Sequence, residues 1–223
     1  MPKPIIVAVD EIRPNSFKEI VDSLDNDLCM IKVGSVSFNA MGHEAINYVA
    51  SKGFKIFLDL KLHDIPNTVK KSIEGLISLP LSMLTIHTSG GLEMMRAAKQ
   101  ALQSSDIKLF GVTALTSLSD EDTNIIFKRS ASRQVQAMLD LAEAAGIDGV
   151  VCSPLELELV TQRKSLESIT PGIRILKSND DQTRVMTPKE AIKKGANHIV
   201  IGRPITNASN ISKALKEIHN SLE

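Results

Sequence analysis

Residues 57–68 read FLDLKLHDIPNT, and the fold and the chemistry are both reached by working outward from them. The apolar run Phe54–Leu60 reads as a strand of the parallel type, apolar on both faces. Side chains alternate along a strand, so Ile56, Leu58 and Leu60 share one face and Phe57, Asp59 and Lys61 the other. A carboxylate and an ammonium therefore point the same way at the strand's end. Asp64 follows, and Pro66 suits the first turn of a helix, where a missing N–H costs nothing. The stretch sets acid, base and acid at the C-terminal mouth of one strand. Alone, D-x-K-x-x-D is also what a solvated charged turn looks like, so the context decides.

On either side, strand and helix patterns alternate along the whole chain. Predicted strands are Pro4–Asp10 (PIIVAVD), Leu28–Val33 (LCMIKV), Phe54–Leu60, Leu81–His87 (LSMLTIH), Ile107–Thr113 (IKLFGVT), Asp148–Cys152 (DGVVC), Ser168–Thr170 and His198–Ile201. Predicted helices fall at Asn15–Leu24, Ser35–Ser51, Asn67–Ser78, Leu92–Gln103, Ser132–Ala145, from about Pro154, Pro188–Lys194 and Ala208–Ser221, with a longer loop after the fifth strand. Strict alternation implies a parallel sheet, and eight units of roughly 20–30 residues imply one closed (β/α)8 TIM barrel spanning residues 1–223 as a single domain. An open doubly wound sheet is the structural alternative, but no G-x-G-x-x-G turn follows Asp10.

Composition narrows the function. The chain has 223 residues, 43% of them hydrophobic, enough for a sizeable core. Lys+Arg and Asp+Glu both number 26, so net charge offers nothing to nucleic acid or an acidic membrane, and any anion site must be a local cluster. No run approaches the ~18 apolar residues of a membrane span. The chain enters a strand by about Pro4, and no signal peptide is expected before it. Cys29 and Cys152 lie far apart in apolar runs, which reads as buried reduced thiols in a cytoplasmic protein. No Cys/His cluster has zinc spacing.

In a barrel of this kind chemistry sits where strands end. Asp10, Lys32, Asp59 with Lys61, and His87 all fall there. Period two puts Asp10 on the face of Ala8 and Ile6, and Lys32 on the face of Met30 and Leu28. Buried Asp and Lys are expensive unless paired, so one mutually compensating network is expected. A lone strand-end His87 reads more readily as structural, and parity turns His63 away from Lys61. The loops after strands seven and eight, Thr170–Arg174 (TPGIR) and Ile201–Ile205 (IGRPI), supply glycine and arginine for a phosphate. Between them Ile175–Thr187 is polar and aperiodic, either a surface loop or a lid that closes over the phosphate.

These blocks, in this order, resemble the orotidine 5′-monophosphate decarboxylase family along nearly the whole chain. They are VAVD ending at Asp10, IKVG with Lys32, DLKLHDIPNT from Asp59 to Thr68, VTALTS with Thr116, TPGIR with Arg174, DDQTRVMTP with Gln182, and IGRPI with Gly202 and Arg203. The resemblance implies a (β/α)8 barrel that converts OMP to UMP and CO2 in pyrimidine biosynthesis, without cofactor or metal. It implies that Lys61 donates a proton to C6 of the pyrimidine, within an alternating array of Lys32, Asp59, Lys61 and Asp64. It implies ribose contacts from Asp10, Lys32, Asp64 and Thr68, a loop over the pyrimidine at Thr116, with Ser119 as an amide contact, and a phosphate grip from Gln182, Gly202 and Arg203 with Arg174 at the root of the lid. Asp64, Ile65 and Thr68 are expected to reach a neighbouring subunit's site, making a homodimer with shared sites. A relative similar to magnesium-dependent 3-keto-L-gulonate 6-phosphate decarboxylase shares D-x-K-x-x-D but carries an acid where Lys32 stands. A non-catalytic phosphate-binding barrel accounts for the glycine and arginine loops but not for the charges of Asp59–Asp64.

Overall fold

The computed structural model describes residues 4–174 and 186–222. Eight strands, β1 (Ile5–Ala8), β2 (Cys29–Gly34), β3 (Ile56–Leu62), β4 (Met83–His87), β5 (Lys108–Val112), β6 (Gly149–Val151), β7 (Glu167–Thr170) and β8 (His198–Ile201), pair in chain order and close into a barrel. Every neighbouring pair is parallel, and β8 returns to β1. The helices are α1 (Pro14–Asp22), α2 (Ser35–Met41), α3 (His43–Ser51), α4 (Pro66–Glu74), α5 (Gly91–Ala101), α6 (Asp120–Phe127), α7 (Ala131–Ala145), α8 (Leu157–Thr161), α9 (Pro188–Lys193), α10 (Arg203–Thr206) and α11 (Ile211–Asn220). The chain is a (β/α)8 barrel, as the alternation predicts.

The strands are apolar on both faces because each face has its own core. Ile6, Ala8, Met30, Phe57, Met83, Phe110, Ile169 and Val200 fill the barrel interior. The alternate residues, among them Ile5, Val7, Ile31, Val33, Ile56, Leu58, Leu84 and Ile86, pack outward in one cluster with helix residues such as Phe17, Val69, Met94 and Leu139. Packing on both faces rigidifies the strands, and polar side chains stand toward their ends: Lys108, Glu167 and His198 at N-terminal ends, Lys32, Asp59 and Thr85 toward C-terminal ends.

Four helical predictions need correction, the simplest being that the helix predicted over Asn67–Ser78 ends at Glu74. The single helix predicted over Ser35–Ser51 is two helices, because Gly42 takes a positive φ of 57° and breaks the hydrogen-bond ladder between α2 and α3. The longer loop predicted after β5 contains α6. Ser119 caps it reciprocally with Asp122, while Ile125 and Ile126 stay exposed. Local capping forms this helix, so no apolar stripe announces it. The closing helix begins later than Ala208, and the four-residue α10 precedes it.

Candidate active site

The interior-facing positions change character at the strand ends. Ile6 and Ala8 of β1 lead to Asp10, Met30 of β2 to Lys32, Phe57 of β3 to Asp59, and Met83 of β4 to Thr85. Lys32 is 9% exposed, Asp59 7% and Thr85 not at all. Lys32 Nζ lies 3.0 Å from Asp10 Oδ1 and 3.7 Å from Asp59 Oδ2. Lys61 Nζ donates to the same Asp59 Oδ2 at 2.6 Å. The order is acid, base, acid, base, and each charge faces its opposite. That alternation offsets the desolvation an isolated buried carboxylate or ammonium would suffer.

Lys61 reaches Asp59 by a route other than plain alternation. Its backbone has φ 52°, in the left-handed region that non-glycine residues seldom occupy. The pairing of β3 with β4 shifts here: Leu58 faces Leu84, whereas Leu62 faces Ile86. Two extra residues are therefore accommodated in β3, and Lys61 sits within the irregularity. Such bulges re-aim a side chain at a strand end. The prediction that Asp59 and Lys61 point together holds, but the strained residue and the register shift produce it.

Gly34, the last residue of β2, leaves room for the array. A Cβ there would sit 2.7 Å from Lys32 Nζ and 3.0 Å from Asp10 Oδ1. The neighbouring Ser37 hydroxyl is fully buried. It donates within reach of the Val9 and Glu11 carbonyls and accepts from the Glu11 N–H, tying the end of β1 to α2. Lys32, Phe57, Asp59 and Lys61 form one side of a cavity of about 220 Å³. Val112, Ala114, Leu115, Thr116, Val151, Cys152, Pro171 and Val200 form the rest. One wall is thus charged and the other largely apolar. A larger but more open surface groove of about 720 Å³, between Asp22–Asn26 and Ala208–Ser212, lacks such a charge array and lies away from the strand mouths.

Residues 3–218 match the model of the orotidine 5′-phosphate decarboxylase / HUMPS family. The chain belongs to that family. It is 44% identical to orotidine 5′-phosphate decarboxylase of Saccharophagus degradans, over 98% of this chain and 94% of that protein. It is 45% identical to the enzyme of the same name from Wolbachia pipientis, with 98% of each covered. The crystal structure of orotidine 5′-phosphate decarboxylase from Lactobacillus acidophilus superposes with a TM-score of 0.87 at 35% identity, with 99% of each chain covered.

The other described positions singled out by the resemblance to the orotidine 5′-phosphate decarboxylase family lie at several places around the strand ends. Asp64, Ile65 and Thr68 stand apart from the array. Asp64 is exposed, its Oδ1 accepts the Ile65 N–H at 2.7 Å, and among the described residues it forms no salt bridge. Ile65 is 65% exposed, and Thr68 is exposed in the first turn of α4. His63 turns away from the cavity and lies against His87, with ring centroids 5.2 Å apart. Burial, then the facing His63 and Lys61, pulls the His87 imidazole below its usual range. Thr116 forms part of the cavity rim, while the Ser119 hydroxyl is engaged in the cap of α6. Burial pushes the Cys152 thiol up to about 12, so it lines the cavity as a neutral group.

On the opposite side, Arg174 donates its backbone N–H to the Met186 carbonyl at 3.1 Å, and Ile173 bridges Met186. The two ends of the polar stretch are therefore joined at its root. Gln182 and the rest of residues 175–185 lie outside the described residues. Gly202 follows β8 beside Ala8, at 3.5 Å for an added Cβ, and Arg203 is exposed. The reading of the sequence missed Thr85, Gly34 and Ser37. Thr85 could have been found, because Met83, Thr85 and His87 share one parity in LSMLTIH. Ser37 and Gly34 act through tertiary approach, which no local pattern reveals.

Proposed function

We propose that this protein is an orotidine 5′-monophosphate decarboxylase that converts OMP to UMP and CO2 in pyrimidine biosynthesis. The observation that carries the reading is the Lys61 ammonium held on Asp59 Oδ2, with Lys32 behind it, on the charged wall of a half-apolar cavity. In this reading the bond from C6 to the substrate carboxylate breaks, CO2 leaves, and the electron pair stays on C6. The Lys61 ammonium stabilises that developing charge and then passes its proton to C6, giving UMP, and regains a proton from water. Asp59 lies beside the departing carboxylate, and their repulsion is relieved as CO2 forms. The chemistry needs neither metal nor cofactor.

Binding follows from the rim. Asp10, Lys32, Asp64 and Thr68 hold the ribose hydroxyls, and Thr116 closes over the pyrimidine. Gln182, Gly202 and Arg203 hold the phosphate, with Arg174 at the root of the closing segment, and this remote binding energy is used to assemble the site. Asp64, Ile65 and Thr68 serve the partner's site in a homodimer. Their exposure and their separation from the array support that assignment. The protein works in the cytoplasm, without nucleic acid or membrane. No described helix is long and apolar enough to cross a bilayer. A magnesium-dependent relative is the poorer reading, because the Lys32 ammonium stands between Asp10 and Asp59 and would repel a cation there. The test is loss of OMP absorbance on adding protein in the presence of EDTA. Lys61→Ala should abolish it with the circular dichroism intact. Retention of more than about a tenth of the activity, ~1.4 kcal/mol in the barrier, would reject Lys61 as the proton donor.

A further inference from the structure

We propose that Thr85 is a positioning residue whose single hydroxyl sets both the Asp59 carboxylate and the left-handed backbone of Lys61. Thr85 sits on β4, facing into the barrel, and is fully buried. Its Oγ1 lies 2.9 Å from Asp59 Oδ1 and 2.9 Å from the Lys61 backbone nitrogen. The direction of both bonds is fixed by chemistry. An ionised carboxylate can only accept and a backbone N–H can only donate. The hydroxyl therefore gives its one proton to Asp59 and takes the N–H of Lys61.

This arrangement solves two local problems. The shifted pairing of β3 on β4 leaves the Lys61 N–H without a carbonyl opposite, and a buried orphan donor is costly. The Thr85 oxygen receives it and so holds Lys61 at φ 52°. The other bond occupies Oδ1 of Asp59, leaving Oδ2 to face Lys32 and Lys61. One hydroxyl thus determines how the carboxylate is rotated and where the lysine side chain departs from the strand. Valine would keep the shape and lose both bonds. Serine would keep both bonds and lose only a methyl group.

The inference deepens the decarboxylase reading and rests on it only for the kinetic part of its test. Thr85→Ser, Thr85→Ala and Thr85→Val are compared with wild type by steady-state decarboxylation of OMP and by UMP binding. The Ser and Ala variants differ in the hydroxyl alone, so the comparison survives a Val variant that fails to fold. We expect kcat within about threefold of wild type for Ser and lowered about tenfold or more for Ala and Val, with UMP affinity within about threefold in all. In an Asp59→Asn background the Ala substitution should cost under about threefold, because the two residues act as one unit. Crystal structures of the unliganded Ser and Ala variants give a readout independent of any activity: Lys61 keeps its positive φ in Ser and relaxes to a negative φ in Ala. If Ser is as impaired as Ala, or if Ala keeps both kcat and the Lys61 backbone, the proposal is overturned. If wild type leaves OMP untouched, the functional reading fails, and the crystal structures alone still judge Thr85.

Discussion

Substituting alanine at Gly34 should damage catalysis far more than stability. The added Cβ would stand 2.7 Å from Lys32 Nζ, and ordinary contact begins at 3.4 Å, so the ammonium has to retreat by about 0.7 Å. The obstructions are the far ends of two flexible side chains, since Asp10 Oδ1 also stands within contact distance at 3.0 Å, and the backbone has no need to move. If the retreat lengthens the 3.0 Å pair with Asp10 to about 3.7 Å, the attraction weakens by about 1 kcal/mol at an effective dielectric of ~20. Because 47% of the Asp10 side chain is exposed, solvent screening lowers that further. For a chain of this length, 1 kcal/mol corresponds to a fall in Tm of only about 2–4 °C. A misplacement approaching 1 Å in a preorganised site, in contrast, costs up to about a hundredfold in rate. Gly34→Ala should therefore lose about 10–100-fold in kcat/KM for OMP while Tm drops by under about 4 °C. Calorimetry and steady-state assays on one preparation decide it. Activity within about threefold of wild type would refute the argument that Lys32 needs its present position. A Tm loss beyond about 10 °C would show instead that the glycine serves packing.

The other expectations are briefer. Arg203→Ala should weaken kcat/KM for OMP strongly and for orotidine, which lacks the phosphate, much less, since charge-assisted phosphate contacts contribute about 1.5–3 kcal/mol each; equal fractional losses would remove Arg203 from the phosphate grip. Homodimers of Lys61→Ala and of Asp64→Ala should each be nearly inactive, whereas subunit exchange should restore up to about half of wild-type activity per heterodimer, because one of its two sites carries neither lesion. Verified exchange without recovery would mean that Asp64 acts in its own subunit. Cys29 and Cys152 are both buried, and burial holds the Cys152 thiol at about 12, so neither should be alkylated by iodoacetamide at pH 8 until the protein is denatured. Mass spectrometry of the native reaction reads this directly, and a labelled native Cys152 would contradict its burial.

Much of the barrel was legible because its physics is local. An apolar strand packed on both faces leaves a contiguous run in the sequence, and all eight runs correspond to strands with ends within two residues. Asp10, Lys32 and Asp59 were legible for the same reason, since each lies two residues beyond an interior apolar position. What escaped was set by partners distant along the chain or by local capping. Ser35–Ser51 has a helical pattern throughout, and only the positive φ of Gly42 divides it. The α6 segment carries its signal in the Ser119–Asp122 cap, and its apolar residues stay exposed. Gly34 matters because of two side-chain ends that meet above it, from β2 itself and from the end of β1.

Lys61 shows where parity stops being sufficient. A regular strand would place it on the interior face simply by being two residues after Asp59, with its Cα one layer higher in the barrel. The observed strand instead takes up two extra residues against β4, and its polypeptide bends at a left-handed lysine. Such a conformation costs of order 1–3 kcal/mol for a non-glycine residue, so something must outweigh it. The Lys61 N–H bonds to Thr85 and the Lys61 ammonium to Asp59 in this conformation, and the second bond is charge-assisted. The strain is therefore balanced by two bonds that end on one Thr85–Asp59 pair. A regular β3 would have no such balance to strike, and its lysine would leave the strand in the direction set by the pleat instead of the direction set by the carboxylate.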